Sequence, residues 1–196
     1  AFSGMEMQRV TEALVAAKLS RNLERPRTET DGRFARAVRL AERDGTFRQK
    51  LEANYEGIWT AFWWFDDVAH LNAGYDAFEK LVIDTDHAKN LELLCNLAQL
   101  LFNSVIHQHL TADEARLEER IARLSNRLKS MVAEHERPNN ALEARTSLLV
   151  IEVNQAALKK DPQRLSSLWP QFSEVIKQAN GLGEFAAERL TKMIEV

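Results

Sequence analysis

The stretch LELLCNLAQLLFNSVI, residues 91–106, determines the fold that this sequence predicts. Its apolar residues almost encircle a helix and leave one narrow polar line, formed by Glu92, Asn96, Gln99 and Asn103. The spacing i, i+4, i+7 and i+11 places these four side chains on one side of a helix with about 3.6 residues per turn. A helix that is apolar on all other sides must be covered by several neighbouring helices.

The rest of the chain also favours helices. Only 7 Gly and 4 Pro occur in 196 residues, whereas an all-β chain needs a turn about every 8–12 residues. Start and stop signals, such as Asp161-Pro162 and Asn180-Gly181, divide the sequence into about eight to nine helices, the last beginning at Glu184. We therefore predict an all-α fold in which antiparallel helical hairpins stack as a short, irregular solenoid.

Three helix boundaries are predicted in more detail. A long helix should run from Thr46 to about Asn72 and stop at Gly74, before a short helix over residues 75–83. Another should span residues 112–136, because Thr111 and Glu114 have the spacing of a capping box. In the helix after Asp161, Pro170 predicts a kink or a break into two pieces.

The charge is unevenly distributed along the chain. Residues 1–50 contain eleven Lys and Arg against seven Asp and Glu, whereas the whole chain has a net charge of −3. We predict one helical domain over residues 1–196, with a basic helical pair at 1–45 and a helical-repeat body at 46–196. Because the chain begins without Met and ends within an amphipathic pattern, we expect it to be a fragment of a larger protein.

Composition also constrains localisation and partners. A pI near 6.0 argues against a dedicated nucleic-acid-binding protein, which usually carries a strongly basic face. The only cysteine, Cys95, lies in the apolar run, which is typical of a reducing compartment. No uninterrupted apolar run reaches the length of about 20 residues needed for a membrane span, and residues 1–10 do not resemble a signal peptide. We expect a cytoplasmic protein without membrane contacts.

Arginines are concentrated on the predicted helix over residues 31–45. Arg36, Arg39 and Arg43 lie on the side opposite its apolar arc, and guanidinium groups match phosphate and carboxylate groups well. We therefore predict that these three residues bind an anion. Two alternatives are a solvated helix face and pairing with the acidic remainder of the same chain.

The sequence evidence for a catalytic or metal-binding site is weaker than that for the arginine-rich helix. The stretch WWFDD, residues 63–67, could form an aromatic pocket together with Trp59, although helix packing explains it equally simply. Asp66 and His70 are spaced i, i+4, but two ligands do not make a metal site. The sequence contains neither a nucleophile elbow nor a glycine-rich phosphate loop. We predict no catalytic residue, no cofactor and no metal.

The helix pattern over residues 46–196 resembles that of tetratricopeptide-type (TPR-like) repeat domains. Their period of about 34 residues is absent here, so no functional residue is transferred from that family. The Trp-rich helix, the segment NLELL at residues 90–94 and the segment RPNNALEAR at 137–145 also resemble the helical sensor arms of bacterial STAND-type ATPases. These resemblances imply a scaffold with a regulatory or sensor role.

The predicted function is a non-enzymatic helical-repeat scaffold that binds a protein or peptide, or another domain of its parent chain. Its partner-binding residues would form two polar lines, Glu92, Asn96, Gln99 and Asn103 on one helix and Arg145, Glu152, Gln155 and Lys159 on the next long helix. Amide side chains suit this role because they both donate and accept hydrogen bonds. Hydrogen bonding across helices inside the core is the alternative for the first line.

The alternative function is a small all-helical enzyme, or a nucleic-acid-binding element, that acts on an anionic ligand through the N-terminal arginines.

Overall fold

A computed structural model describes residues 4–180, which form eight α-helices and no strand. The all-α prediction is confirmed. The helix predicted from Glu184 lies outside the described residues. The helices are α1 (Gly4–Asn22), α2 (Arg27–Asp44), α3 (Phe47–Phe65), α4 (Val68–Val82), α5 (Ala88–Ile106), α6 (Leu117–Val132), α7 (Pro138–Leu158) and α8 (Pro162–Asn180).

The chain divides into two compact units, Ala1–Leu81 and Val82–Val196. Within each unit, helices that follow one another pack together, as they do in a helical solenoid: α1 with α2, α2 with α3, α5 with α6, α6 with α7, and α7 with α8. The predicted boundary between residues 45 and 46 falls inside the first unit, between α2 and α3. The number of independently folding domains stays a prediction.

The core of the first unit is built largely from small side chains. Helices α1, α2 and α3 pack against one another, and Ala17, Ala37, Ala41 and Ala53 are buried among Val10, Leu14 and Phe34. Alanine in these positions allows helices to approach closely without loss of helix propensity. α3 begins with a capping box, in which the Gln49 N–H donates to Thr46 Oγ1 at 3.2 Å and the Thr46 N–H donates to Gln49 Oε1 at 3.0 Å.

The predicted helix from Thr46 to Asn72 is wrong, because the chain breaks at Asp66. Asp66 adopts a left-handed conformation with φ of 50°, which ends α3 at Phe65. The Asp67 carboxylate then accepts a hydrogen bond from the His70 N–H at 2.9 Å and so caps the start of α4. Gly74, predicted as a stop, lies inside α4.

In the second unit, α5 packs against both α6 and α7, and α7 also packs against α8. Leu91, Leu94, Leu97 and Leu101 of α5 are fully buried, as the apolar pattern predicts. α8 is a single helix that contains Pro170. α5 is therefore a covered helix, as predicted, and the break into two pieces considered at Pro170 does not occur.

The predicted start of α6 at residue 112 is also wrong. Thr111 and Glu114 do form a capping box, with the Glu114 N–H donating to Thr111 Oγ1 at 3.1 Å and the Thr111 N–H donating to Glu114 Oε2 at 2.8 Å. It stabilises a turn over residues 111–116 instead, because Arg116 is left-handed with φ of 45° and α6 begins at Leu117. The hydrogen bonds from Thr111 also hold the pKa of Glu114 below its ordinary value.

Candidate functional site

A groove of about 530 Å³ lies in the second unit, lined by residues of α6 and α7 together with Phe102 of α5. Its apolar lining consists of Phe102, Ala112, Leu117, Ile121, Ala122, Leu148 and Leu158. Leu117 and Ile121 are buried and belong to the apolar seam of α6, which also contains Leu124, Leu128 and Met131. Leu148 and Leu158 are half-buried. The groove therefore has an apolar floor that is formed where the three helices meet.

Polar side chains form the rim of this groove. They are Glu118, Ser125, Asn126 and Lys129 on α6, Glu152 and Gln155 on α7, and Lys159 at its end. Glu152 forms a loose ion pair with Arg164 of α8, at 3.5 Å between Oε2 and Nη2. Within residues 4–180, the side chains of Ser125, Asn126 and Gln155 form no hydrogen bond to other protein groups. The rim thus presents hydroxyl and amide groups that can still donate and accept hydrogen bonds.

The structure brings together only part of the predicted partner-binding set. Glu152, Gln155 and Lys159 line the groove, but Arg145 does not. Arg145 lies about two helical turns before Glu152, where its Nη1 approaches Gln178 Oε1 of α8 at 3.5 Å. It lines a separate hollow with His135.

The predicted polar line on α5 is separate from the groove that α6 and α7 form. Glu92, Asn96 and Gln99 are half-buried and Asn103 is exposed, and none of the four is among the residues that line the groove. The partner role of these four residues therefore stays a prediction. Their partial exposure places them on a less covered side of α5 than its buried leucines.

Replacing Asn103 by Ala should change the free energy of unfolding by no more than about 0.5 kcal/mol, because its side chain is exposed. Thermal and chemical melts of the single variant measure this change. A loss of about 1–3 kcal/mol would instead indicate a buried hydrogen bond at this position.

Sequence reasoning missed the contribution of α6 to the groove. Glu118, Ala122, Ser125 and Lys129 follow the spacing i, i+4, i+7 and i+11, the same spacing that defines the polar line on α5. These positions form one strip beside the apolar seam of α6. The signal was present in the sequence, but the pairing of this strip with α7 depends on the tertiary packing.

A second groove, of about 570 Å³, lies between α1 and α2 in the first unit. We call it the arginine groove, and it is lined by Arg9, Glu12, Ala13, Ala16, Arg33, Arg36, Leu40 and Arg43. All three arginines predicted to bind an anion are exposed, but Arg39 does not line the groove. Arg9, which the sequence reasoning did not select, joins the set from α1.

Ion pairs occupy two of the groove's four arginines. Arg33 Nη2 lies 2.9 Å from Glu29 Oε1, and Arg43 Nη2 lies 2.6 Å from Asp44 Oδ2. The hydrogen bond from Arg43, with the positive charge of Arg43 and Arg9, holds the pKa of Asp44 below its ordinary value. Within residues 4–180, Arg9 and Arg36 form no ion pair or hydrogen bond through their side chains.

Other basic residues of α1 and α2 are paired with acidic residues in the same unit. Lys18 Nζ lies 2.5 Å from Glu52 Oε1, and Arg21 Nη1 lies 2.6 Å from Glu56 Oε2, both across the α1–α3 contact. Arg27 pairs with Asp67. Ion pairs within the unit therefore involve Lys18, Arg21 and Arg27, none of which belongs to the three arginines predicted to bind an anion.

The aromatic stretch near residue 63 is divided by the end of α3. Trp59 and Trp63 remain neighbours, with ring centroids 5.7 Å apart, whereas Asp66 and His70 lie beyond the helix end. Arg21 stacks over Trp64 at 4.6 Å from the ring centroid. Among residues 4–180, no three His, Cys, Asp or Glu side chains come close enough together to hold a metal ion.

The chain matches no protein-family model, no curated protein and no solved structure. Its all-helical architecture is compatible with a helical-repeat domain. Within the described part of the chain, every helix is too short or too polar to serve as a membrane span. Functional inference therefore depends on the two grooves.

Proposed function

We propose that this chain is a non-enzymatic binding module that recognises a peptide segment in the α6–α7 groove. The segment belongs to another protein or to another part of the parent chain. The observation that carries this proposal is the combination of an apolar floor with three rim residues, Ser125, Asn126 and Gln155, whose side chains form no hydrogen bond to protein within the described residues.

The volume of the groove suits a peptide segment. Ligand-binding clefts usually measure about 300–1,000 Å³, and the α6–α7 groove, at about 530 Å³, lies within that range. Apolar side chains of a segment would contact Leu148 and Ile121 on the floor. Its polar groups would meet Asn126 and Gln155, which face the groove from opposite helices. This is the groove mode of peptide recognition, in which an amphipathic segment places its apolar side between two helices.

The lining residues also favour binding over catalysis. Ser125 is the only hydroxyl group among the residues that line the groove, and it has no base as a hydrogen-bond partner within residues 4–180. An activated serine needs such a base within hydrogen-bonding distance. Among the described residues, neither histidine nor cysteine lines this groove.

Ala122→Arg should weaken peptide binding, because Ala122 is exposed on α6 and lines the groove, so that an arginine there would occupy part of it. Peptides are first selected from a displayed random library with the wild-type chain, and their affinities are then measured by fluorescence anisotropy. We expect Kd to rise by about tenfold or more, which corresponds to roughly 1.4 kcal/mol.

Ala157→Arg is the matched control for this substitution. Ala157 is also exposed and helical, but it does not line the groove. Selected peptides should bind this variant as tightly as the wild-type chain. Equal losses in the two variants, or a selection that enriches no peptide, would contradict the proposal.

The second candidate function is a nucleic-acid-binding or small enzymatic element that would bind an anionic ligand in the arginine groove. The observation that favours it is the pair Arg9 and Arg36, neither of which is neutralised by an ion pair within the described residues. The salt dependence of binding affinity distinguishes the two candidates. Binding through phosphate contacts weakens steeply as ionic strength rises, whereas binding in an apolar groove does not.

A further inference from the structure

α1 is apolar on two sides, although only one side is buried in the first unit. Val10, Leu14 and Ala17 are in the core. Val15, Leu19 and Leu23 remain exposed on the outer side, with 57%, 53% and 63% of their surfaces accessible. Val15 and Leu19 lie on α1, and Leu23 follows directly after its end, where its N–H still donates to the Leu19 carbonyl at 2.9 Å. These three residues, which we call the α1 stripe, are spaced by four and therefore continue one line of the helix. Single exposed leucines are common, but an aligned series of them indicates a contact surface.

The α1 stripe and the arginine groove share an edge. Ala16 lines the groove and lies three residues before Leu19, a spacing at which helical side chains are neighbours. Arg9 and Ala13 continue the groove along α1, while Arg36 and Arg43 form its other wall on α2. One face of the first unit thus combines a line of apolar side chains with a row of guanidinium groups.

The guanidinium groups of this face are not balanced by the acidic residues in it. Among the residues that the structure describes, Glu12 is the only acidic one that lines the arginine groove. Glu29 and Asp44 engage Arg33 and Arg43 from outside the groove. Within the described residues Arg9 and Arg36 form no ion pair, although the positive charge of Arg9 acts on Asp44. Guanidinium groups bind carboxylates through paired hydrogen bonds.

We propose that this face binds an acidic amphipathic helix of a partner protein. Apolar side chains of that helix pack on the α1 stripe, and its flanking Asp or Glu residues pair with Arg9 and Arg36. The complementary charges set the orientation and the specificity of the contact, whereas the apolar stripe supplies most of the buried surface. This site is in a different unit from the α6–α7 groove and does not depend on it.

A nucleic acid fits this face less well than an acidic helix. Phosphate groups would use the arginines, but the α1 stripe would stay exposed.

A membrane surface fits less well for a related reason. Glu12 is exposed and lies three residues before Val15, so insertion of the stripe would carry a carboxylate toward the apolar phase. A second copy of this chain docked symmetrically would bring two arginine-rich faces together.

The test uses the full chain as the target for a displayed library of helical peptides in which Leu, Ser, Glu and Lys vary at every position. We expect enrichment of peptides with Leu at helical spacing and Glu on the flanks. The strongest peptide is then titrated by anisotropy against the double variant Arg9→Glu/Arg36→Glu and against Leu19→Gln. Each should raise Kd by about tenfold or more.

Matched controls come from α3 of the same unit. Arg48→Glu reverses one charge and Phe47→Gln replaces an apolar side chain by Gln, both at exposed positions outside the face, and both should leave Kd unchanged. Ala122→Arg should also leave it unchanged, which separates this site from the α6–α7 groove.

Several outcomes would overturn the proposal. One is a selection that enriches peptides without acidic residues. Another is a loss of peptide affinity in the α3 control variants as large as the loss in the test variants. A third is that duplex DNA or phosphatidylserine vesicles bind more tightly than the selected peptide and that this binding is lost in Arg9→Glu/Arg36→Glu. Sedimentation showing self-association that Leu19→Gln abolishes would assign the face to a second copy instead.

Discussion

Leu97→Ala is expected to lower the free energy of unfolding by about 2–5 kcal/mol. Leu97 is fully buried in α5, and α5 contacts both α6 and α7. Protein interiors are closely packed, so removal of three carbon atoms leaves a cavity that the surrounding helices fill only in part. Urea denaturation followed by far-UV circular dichroism measures the loss. Leu101→Ala, at another fully buried position of the same helix, should behave similarly.

Ile106→Ala is the control for this prediction. Ile106 is at the end of α5 and is 41% exposed. Its replacement removes less buried apolar surface and should cost about 1 kcal/mol or less. Comparable losses at Ile106 and Leu97 would mean that α5 is not the covered helix that its sequence and burial indicate.

α5 could be predicted from the sequence because burial on several sides leaves a pattern in one segment. The same is not true of the end of α3. Glycine is a common helix stop, so Gly74 was preferred, but the actual break uses Asp66 in a left-handed conformation. A signal for it was present, since Asp67 and His70 have the spacing of an N-cap and its backbone partner. Choosing between the two stops requires knowledge of what packs against Gly74.

Prediction of the candidate sites from sequence was limited in the same way, by the need to know the tertiary packing. Arg36 and Arg43 are seven residues apart and lie on the same side of α2, whereas Arg39 is turned away by about 60°. This rotation explains why Arg39 does not line the arginine groove. Arg9 could not be assigned to the set from sequence, because the register of α1 against α2 is determined by the packing of their small residues.

Gly74→Leu is expected to destabilise the first unit by about 1–3 kcal/mol, through overpacking. A Cβ at this position would lie 2.8 Å from Ile58 Cγ1 and 2.9 Å from Ile58 Cδ1. Ile58 is buried in α3, so its side chain has little space in which to move. Glycine at position 74 therefore allows α4 to approach α3 closely, and this packing offsets its cost inside a helix.

Gly32→Leu provides the matched control, because it makes the same change inside α2. No atom outside the local helix lies within 4 Å of a Cβ added at Gly32, and the residue is exposed. Leucine has a higher helix propensity than glycine, so this substitution should stabilise the protein by up to about 1 kcal/mol. The two glycine replacements are thus expected to have opposite signs in the same denaturation experiment.

A double-mutant cycle with Ile58→Ala tests the cause of the Gly74 effect. Ile58→Ala alone should be destabilising because it creates a cavity. If the contact between residues 58 and 74 is responsible, Gly74→Leu should cost less in the Ile58→Ala background, since the new leucine partly fills that cavity. Strictly additive losses would show that another contact limits the space at Gly74. Coupling between the two positions would show instead that Gly74 is retained for the α3–α4 contact, which explains why a residue that usually ends helices lies in the middle of one.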